Sequence, residues 1–261
     1  MSQDSKVDWS NKVVFITGAS SGIGRSLAVE LGRRGAIVGL LARRAESLRE
    51  LEAEVKAAGG LALALPCDVR DALAVRGAAD ELRSRFGRID VMVANAGLIV
   101  TTPTKELKPA EVADVMNVNV VGAVNSVVAV VNEMLAQGSG QLVAISSLAA
   151  YRGLAKSGAY CASKAALSTF FESVRVDLLG TGVDVTIIHP GFINTASTSD
   201  RKAKRPFLME LDDATQKIIW AIEARKKSYA FPWQLATICR IGMLMPNSVY
   251  DRIVAKNSFR E

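Results

Sequence analysis

Short apolar runs alternate with longer amphipathic segments along most of the chain, and this alternation constrains the fold most strongly. The apolar runs lie at 13–16, 36–41, 61–65, 89–94, 141–146 and 183–189 and are nearly continuous. Continuous apolar runs are typical of strands buried on both faces, whereas a strand with one solvated face alternates apolar and polar residues. The sequence therefore predicts a parallel sheet covered by helices on both faces.

The segments between these runs have the spacing of apolar residues that an amphipathic helix requires. Helices are predicted at 23–34, 46–58, 72–86, 112–137, 159–179 and 212–226, with a last short strand at 229–231. Strands that alternate with helices in this way indicate a doubly wound α/β sheet. No linker-like segment divides the chain, so we predict one domain, 1–261, with about seven strands.

Histidine and cysteine usage excludes several kinds of site. The chain has one His, His189, which excludes a zinc helix with two imidazoles and leaves little room for a Ser-His-Asp triad. Cys67, Cys161 and Cys239 have no CxxC spacing, which argues against a disulfide framework and a cysteine zinc site. We therefore expect no metal centre.

Charge and hydropathy set expectations about partners. The net charge is +6, but the basic residues form small groups, such as 33–34, 43–44, 201–205 and 225–227. A nucleic-acid binder usually gathers them in one stripe, so we expect no nucleic-acid partner. The first twelve residues are polar, and no run of about 18 apolar residues free of charge occurs. We expect a cytoplasmic protein without a spanning helix.

A glycine-rich turn joins the first predicted strand to the first helix. Its sequence is Thr17-Gly18-Ala19-Ser20-Ser21-Gly22-Ile23-Gly24. Glycines let the backbone approach a ligand closely, and the free N–H groups and dipole of a helix N-terminus favour negative charge. In this strand–turn–helix context the turn predicts a pyrophosphate site and a Rossmann-like fold.

The end of the second predicted strand indicates which dinucleotide binds. Many NAD-binding enzymes have a carboxylate about 20 residues after the glycine turn, where it holds the ribose 2′-OH. Here that position carries Ala42-Arg43-Arg44 and no carboxylate. A guanidinium suits a 2′-phosphate, so we predict NADP(H) with Arg43 as the main contact. Arg44 is either a second contact or a surface charge, and Glu46, in the next helix, is a weaker ribose ligand.

Tyr160 and Lys164 begin a predicted helix, and their spacing of four residues places them on one face. A nearby ammonium lowers the pKa of a phenol and makes it a usable proton donor and acceptor near neutral pH. The spacing alone is common. However, Ser147 lies 13 residues upstream, just past a predicted strand, and Pro190-Gly191 follows the next strand.

Two further motifs, Asp68-Val69 and Asn95-Ala96-Gly97, follow the third and fourth strands, where open α/β sheets bind ligands. Together with Asn119, all these motifs resemble the short-chain dehydrogenase/reductase family in order and spacing over about residues 10–195. The resemblance implies an enzyme that transfers a hydride between NADP(H) and a carbonyl or secondary alcohol. It implies Tyr160 as general acid or base.

The resemblance also assigns the other site residues. Ser147 orients the carbonyl, Lys164 lowers the Tyr160 pKa and holds the nicotinamide ribose, and Asn119 holds a water that links Lys164 to solvent. Ser146 and Asn117 are the neighbouring rivals of Ser147 and Asn119. His189 is expected to be structural. The predicted cofactor contacts are Gly18, Ser20, Ser21, Gly22, Ile23, Gly24, Arg43, Arg44, Asp68, Val69, Asn95, Ala96, Gly97, Tyr160, Lys164, Pro190, Gly191, Ile193 and Thr195.

Beyond residue 195 the resemblance is uninformative, and we expect this part to select the substrate. Residues 192–210 are predicted to form a lid, and 229–261 an apolar C-terminal extension. For 229–246 we favour a helix packed beside the pocket or at a subunit interface over a membrane-surface segment. An apolar wall favours a lipophilic substrate, whereas the basic loop 201–205 favours an anionic group such as a coenzyme A phosphate.

Two other functions stay open. One is a catalytically silent NADP(H)-sensing or scaffold protein, against which the complete set of Ser147, Tyr160 and Lys164 argues. The other is a 3-oxoacyl thioester reductase. Helices 112–137 and 159–179 are apolar on more than one face. Related enzymes pair these helices between subunits, so the resemblance implies a homodimer or homotetramer.

Overall fold

Seven parallel strands form one sheet in the order β3-β2-β1-β4-β5-β6-β7. The computed structural model describes residues 7–195 and 205–256. The strands are β1 Val13–Thr17, β2 Ile37–Ala42, β3 Leu61–Pro66, β4 Val91–Ala94, β5 Gly140–Ile145, β6 Val183–Pro190 and β7 Ser228–Phe231. The predicted doubly wound, Rossmann-like sheet is confirmed, and its strand order reverses between β1 and β4.

Helices cover both faces of this sheet, as the continuous apolar strands require. They are α1 Gly22–Arg33, α2 Ala45–Ala57, α3 Ala72–Phe86, α4 Pro109–Met116, α5 Gly122–Gln137, α6 Gly158–Asp177, α7 Leu211–Glu223, α8 Trp233–Leu244 and α9 Asn247–Lys256. One apolar core joins the sheet to α1, α2 and α7 through residues such as Leu31, Leu51 and Ile218. A second core joins the other face to α3, α5 and α6 through Leu82, Val127 and Phe171.

The predicted helix at 112–137 was wrong in its interior. The segment Asn117–Val121 forms a π-helical turn that separates α4 from α5. Such turns are rare and occur frequently at functional sites. Here the turn holds Asn119, one of the predicted site residues, in a fully buried position.

The continuous helical stretch Pro109–Gln137 is long and apolar enough to cross a membrane by length and composition alone, although the sequence predicted no such helix. In the fold, α5 lies in the helix layer and packs against α3, β4 and β5. Its side chains Val127, Val130 and Met134 belong to the second core. This packing accounts for the apolar composition of the stretch.

Candidate active site

A cavity of about 420 Å³ opens at the carboxyl ends of β1 to β6 and includes the point where the strand order reverses. Ligands of open α/β sheets bind at such a point. Two of the predicted site residues, Gly24 and Asn119, lie outside the cavity lining. The others line it together: Gly18, Ser20, Ser21, Gly22, Ile23, Arg43, Arg44, Asp68, Val69, Asn95, Ala96, Gly97, Ser147, Tyr160, Lys164, Pro190, Gly191, Ile193 and Thr195.

The glycine turn lies against the end of β4 so closely that side chains do not fit. Gly18 has φ +66°, and a Cβ there would lie 2.7 Å from the Cα of Ala96. A Cβ on Gly24 would lie 2.5 Å from Nδ2 of Asn95 and 2.5 Å from the carbonyl oxygen of Gly18. The Asn95 amide donates to that same oxygen at 3.2 Å. Because Gly24 has no side chain, the start of α1 can lie directly against Gly18 and Asn95.

The N-terminus of α1 faces this cavity without an internal cap. Ser21, at the N-cap position, makes no side-chain hydrogen bond to the helix, and the first turn has no acidic residue. The first N–H groups of a helix have no intrahelical partner, and the helix dipole favours an anion there. The glycine turn and this helix end therefore fit a pyrophosphate.

The end of β2 contributes two exposed arginines, Arg43 and Arg44. The Arg44 guanidinium donates to the Ser20 hydroxyl at 3.0 Å, and this hydrogen bond holds the Arg44 side chain against the glycine turn. Asp68, across the cavity lining, forms an ion pair with Arg70 at 2.8 Å. Hydrogen bonds from Arg70 lower the pKa of Asp68, and the charge of Arg43 lowers it further.

Tyr160 and Lys164 lie in the first two turns of α6 and are both buried. The Lys164 ammonium donates to the carbonyl oxygen of Ile145, the last residue of β5, at 2.8 Å. It lies 5.9 Å from the centre of the Tyr160 ring. Burial lowers the pKa of Lys164 to about 8. The ammonium of Lys164 therefore stays mostly protonated at neutral pH and places a positive charge beside the Tyr160 ring.

The burial of the Lys164 ammonium should make the free energy of unfolding of the wild-type protein depend on pH. The pKa of this lysine falls from 10.5 in the unfolded chain to about 8 in the fold. Between these values the unfolded state binds more protons, so wild-type stability gains from rising pH. We expect the stability advantage of a Lys164→Met variant over wild type to shrink by on the order of 3 kcal/mol across this window.

Urea unfolding of the protein without cofactor, measured at pH values across the window, tests this expectation. Lys217→Met, which changes an exposed lysine of α7, is the matched control and should show no such trend. A stability difference between the Lys164→Met variant and wild type that stays constant with pH would contradict it.

The hydroxyls of Ser147 and its rival Ser146 have different hydrogen-bond partners. The Ser146 hydroxyl donates to the carbonyl oxygen of Lys164 at 3.1 Å and lies 2.8 Å from the Ser168 hydroxyl, so α6 engages it. The Ser147 hydroxyl accepts the N–H of Ala149 at 3.1 Å and donates to the carbonyl oxygen of Pro190 at 3.5 Å. Both serines border the cavity, but the hydrogen bond that the Ser147 hydroxyl donates is the longer one, so this hydroxyl is the easier to redirect to a substrate.

Asn119 and its rival Asn117 differ in burial, since Asn117 is exposed. The Asn119 amide donates to the carbonyl oxygen of Leu98 at 3.0 Å and to the Ser163 hydroxyl at 2.9 Å, and its oxygen accepts the N–H of Leu98 at 2.6 Å. A Cβ on Gly97 would lie 3.4 Å from that oxygen and 3.6 Å from the Lys164 ammonium. Asn119 thus links the segment that follows β4 to α6. Its contact with a water stays a prediction.

His189 is a buried side chain behind the site. Its ring lies against Tyr151 with centroids 5.1 Å apart, and its Nδ1 is 3.4 Å from the carbonyl oxygen of Ser147. Burial lowers the pKa of His189 to about 4, so the ring is neutral at physiological pH. Among the described residues, no three His, Cys, Asp or Glu side chains form a group that could hold a metal ion.

Several cavity residues escaped the sequence analysis. Leu98, Ile99 and Val118 supply apolar surface, and Ala42, Cys67 and Ile145 are further lining residues. Leu98 and Ile99 follow the Asn95-Ala96-Gly97 motif directly, and this position next to the motif is the sequence signal that could have identified them as lining residues. Burial raises the pKa of Cys67 to about 11, so its thiol stays protonated at neutral pH.

The predicted lid and extension begin at the cavity edge. Ile193 forms a bridge with Met209, and the Met209 N–H donates to the carbonyl oxygen of Phe192 at 3.0 Å. Residues 196–204, with most of the basic loop, lie outside the described part of the chain. A Cβ on Gly191 would lie 2.9 Å from Leu235, so α8 packs beside the cavity.

A doubly wound sheet with a glycine-rich turn at its reversal point and a buried Tyr–Lys pair is the arrangement of a dinucleotide-dependent oxidoreductase. The family model described as short chain dehydrogenase matches residues 12–206. The chain belongs to the short-chain dehydrogenase family, whose fold binds a nicotinamide cofactor and whose members act on small molecules.

Two relatives in sequence illustrate this membership. An uncharacterized oxidoreductase of Myxococcus xanthus is 43% identical, over 94% of this chain and 96% of its own length. The ketoacyl reductase HetN of a Nostoc species is 34% identical, over 76% of this chain and 69% of its own length.

Two solved structures share the fold but differ in cofactor. A metagenomic short-chain oxidoreductase in complex with NADP has a TM-score of 0.74 and 32% identity, covering 85% of this chain and 96% of its own. A short chain dehydrogenase from Mycobacterium paratuberculosis bound to NAD has a TM-score of 0.77 and 26% identity, covering 86% and 97%. Similar folds therefore hold either dinucleotide.

Proposed function

We propose that this protein is an NADP(H)-dependent carbonyl reductase that reduces a lipophilic ketone or aldehyde to its alcohol and oxidises a secondary alcohol in the reverse direction. The observation that carries the proposal is that Ser147, Tyr160 and Lys164 line one cavity together with the glycine turn and the uncapped N-terminus of α1. The two hydroxyls and the ammonium line the cavity on the β5 and α6 side, and the anion-binding turn lies on the β1 side. A dinucleotide between them would bring its nicotinamide to the hydroxyls.

The nicotinamide supplies or accepts the hydride when the cofactor is bound. Tyr160 donates a proton to the carbonyl oxygen in reduction and removes it from the alcohol in oxidation. Ser147 donates a hydrogen bond that orients the same oxygen. Lys164 favours the phenolate form of Tyr160 through its charge and holds the nicotinamide ribose, and Asn119 holds a water beside Lys164.

NADP(H) is the cofactor that the charges favour. Arg43 and Arg44 border the cavity where β2 ends, and no carboxylate follows that strand until Glu46 in α2. A guanidinium pairs well with a phosphate, whereas a ribose 2′-OH is usually held by a carboxylate.

The substrate class follows from the apolar residues near the reacting groups. Leu98 and Ile99 line the cavity, and Leu235 of α8 packs against Gly191 at its edge. An apolar wall lowers the free energy of a lipophilic substrate more than that of a charged one. A 3-oxoacyl thioester reductase is the second candidate, since the relative HetN is named a ketoacyl reductase.

A panel of substrates tests the proposal. The purified protein is given NADPH or NADH with lipophilic ketones, aldehydes and 3-oxoacyl thioesters, and the loss of reduced cofactor is followed. We expect turnover with NADPH and a lipophilic carbonyl. Binding of NADPH without turnover across the whole panel would instead favour a silent sensor or scaffold protein.

The proposal also includes the oligomeric state, the cover over the substrate and the location of the protein. Exposed apolar side chains on α5 and α6, such as Val128 and Val176, support pairing of copies into a homodimer or homotetramer. Residues 192–210 would cover the bound substrate, and the cytoplasm is the location that we propose.

A further inference from the structure

Helix α8 carries an unusually apolar exposed face. Trp233 is 72% exposed, Ile241 is 52% exposed and Leu244 is 87% exposed. These three side chains and Ile238, which is 55% exposed, are called the α8 stripe below. At 100° per residue, Trp233, Ile241 and Leu244 project from the same side of the helix. Contiguous apolar patches of this kind mark interaction surfaces.

The stripe is exposed because the opposite side of α8 is already held by the fold. The Arg152 guanidinium donates to the carbonyl oxygens of Gly242 and Met245, the latter at 2.9 Å, and to Oδ1 of Asn247 at 2.6 Å. The same guanidinium lies 3.8 Å from the centre of the Tyr250 ring. Rotating α8 to bury the stripe would break these contacts.

The charges around the stripe are basic. Residues 232–250, which include α8, contain no Asp or Glu, and their one basic residue is Arg240. Arg240 is exposed on α8, and at 100° per residue it lies next to Trp233 and Leu244 around the helix. Its guanidinium donates a hydrogen bond to Tyr151, which holds the positive charge at the edge of the stripe. The next carboxylate along the chain, Asp251, is followed at once by Arg252. Trp, Ile and Leu beside arginine are typical of a helix that lies in a membrane interface.

A second copy of the chain fits this surface less well than lipid. In a two-fold contact through the stripe, Arg240 of each copy would enter the same interface. The partner of Arg240, Tyr151, is a neutral phenol, and helix α8 has no carboxylate to neutralise either guanidinium. Burying a charge without a counter-ion is costly. Lipid phosphates supply the missing anions and bind a guanidinium well.

We propose that the α8 stripe docks the protein on an anionic membrane surface. Trp233, Ile241 and Leu244 enter the boundary between headgroups and acyl chains, and Arg240 pairs with lipid phosphate. Because α8 packs on Gly191 at the cavity edge, docking brings the active site close to the lipid. Delivery of a lipophilic substrate from the membrane rests on the proposed function, whereas the docking itself does not.

Flotation of the purified full chain with vesicles tests the docking. One set of vesicles is phosphatidylcholine, and the other contains about one third phosphatidylglycerol. We expect wild type to float with the anionic vesicles, less with neutral ones, and less again as salt screens the charges. Leu244→Gln together with Trp233→Gln should lower the floated fraction about tenfold.

The matched control is Leu73→Gln on α3, because Leu73 is 84% exposed and lies on another surface. It should float like wild type. Thermal unfolding and NADPH affinity should be unchanged in all variants, since the altered side chains are mostly exposed and lie outside the cavity lining. A wild type that stays with neither kind of vesicle, or a double variant that floats equally well, overturns the proposal. A double variant that changes only the oligomeric mass overturns it in favour of a second copy.

Discussion

Tyr160→Phe is expected to lower kcat for carbonyl reduction by a factor of about 10² to 10⁴, while the Kd for NADPH stays near the wild-type value. The substitution removes the one atom that the proposed mechanism needs, the phenolic oxygen with its proton. The ring itself is 6% exposed and packs with Ala149, Cys161 and Leu154. Phenylalanine keeps this packing, so the change separates chemistry from folding.

The measurement combines steady-state kinetics with a fluorescence titration of NADPH. Tyr229→Phe is the matched control, because Tyr229 packs between Trp220 and Phe231 in β7 and lies outside the cavity lining. This control should keep its kcat. If Tyr160→Phe retained most of the wild-type kcat, another group would be the proton donor and the mechanism proposed for this site would be wrong.

Local signals explain where the sequence predicted the fold well. Helix α3 begins and ends as predicted because its ends carry their own markers. The Asp71 carboxylate accepts the N–H groups of Leu73 and Ala74, and Gly87 ends the helix with φ +82°. An N-cap acid and a left-handed glycine act within one helical turn, so they can be recognised without tertiary information.

The π-helical turn around Asn119 shows what the sequence could not predict. A helical pattern of apolar residues continues through 112–137 whether the interior turn is regular or wide. The turn is stabilised instead by hydrogen bonds from Asn119 to Leu98, 21 residues earlier, and to Ser163, 44 residues later. Partners this distant along the chain leave no local signal.

The substrate end of the cavity was unpredictable for a related reason. The motifs at the ends of β1 to β6 face the same edge of the sheet in any parallel arrangement, so their meeting followed from the fold class. The packing of Leu235 on Gly191 depends instead on how the chain returns after α7. Sequence periodicity gives α8 an apolar character but not the neighbour that each of its faces meets.

Arg43→Ala should weaken NADPH binding by about tenfold to a hundredfold and leave NADH binding nearly unchanged. Arg43 is the first residue after β2, it is exposed, and it borders the cavity. The Arg44 guanidinium is instead engaged by the Ser20 hydroxyl at 3.0 Å. Arg43 therefore has the guanidinium that is better placed to meet a 2′-phosphate, and Arg44→Ala should have the smaller effect.

Titration of each variant with both dinucleotides measures this preference. Arg85→Ala is the control, because Arg85 is an exposed arginine of α3 that pairs with Glu81 at 2.8 Å outside the cavity lining, and its loss should change neither affinity. The sharper test is Arg43→Asp. A carboxylate at the end of β2 repels a 2′-phosphate and accepts a hydrogen bond from a 2′-OH, so the preference should move towards NADH. A wild type that binds NADH more tightly than NADPH would contradict the role of Arg43, which would then be only a surface charge.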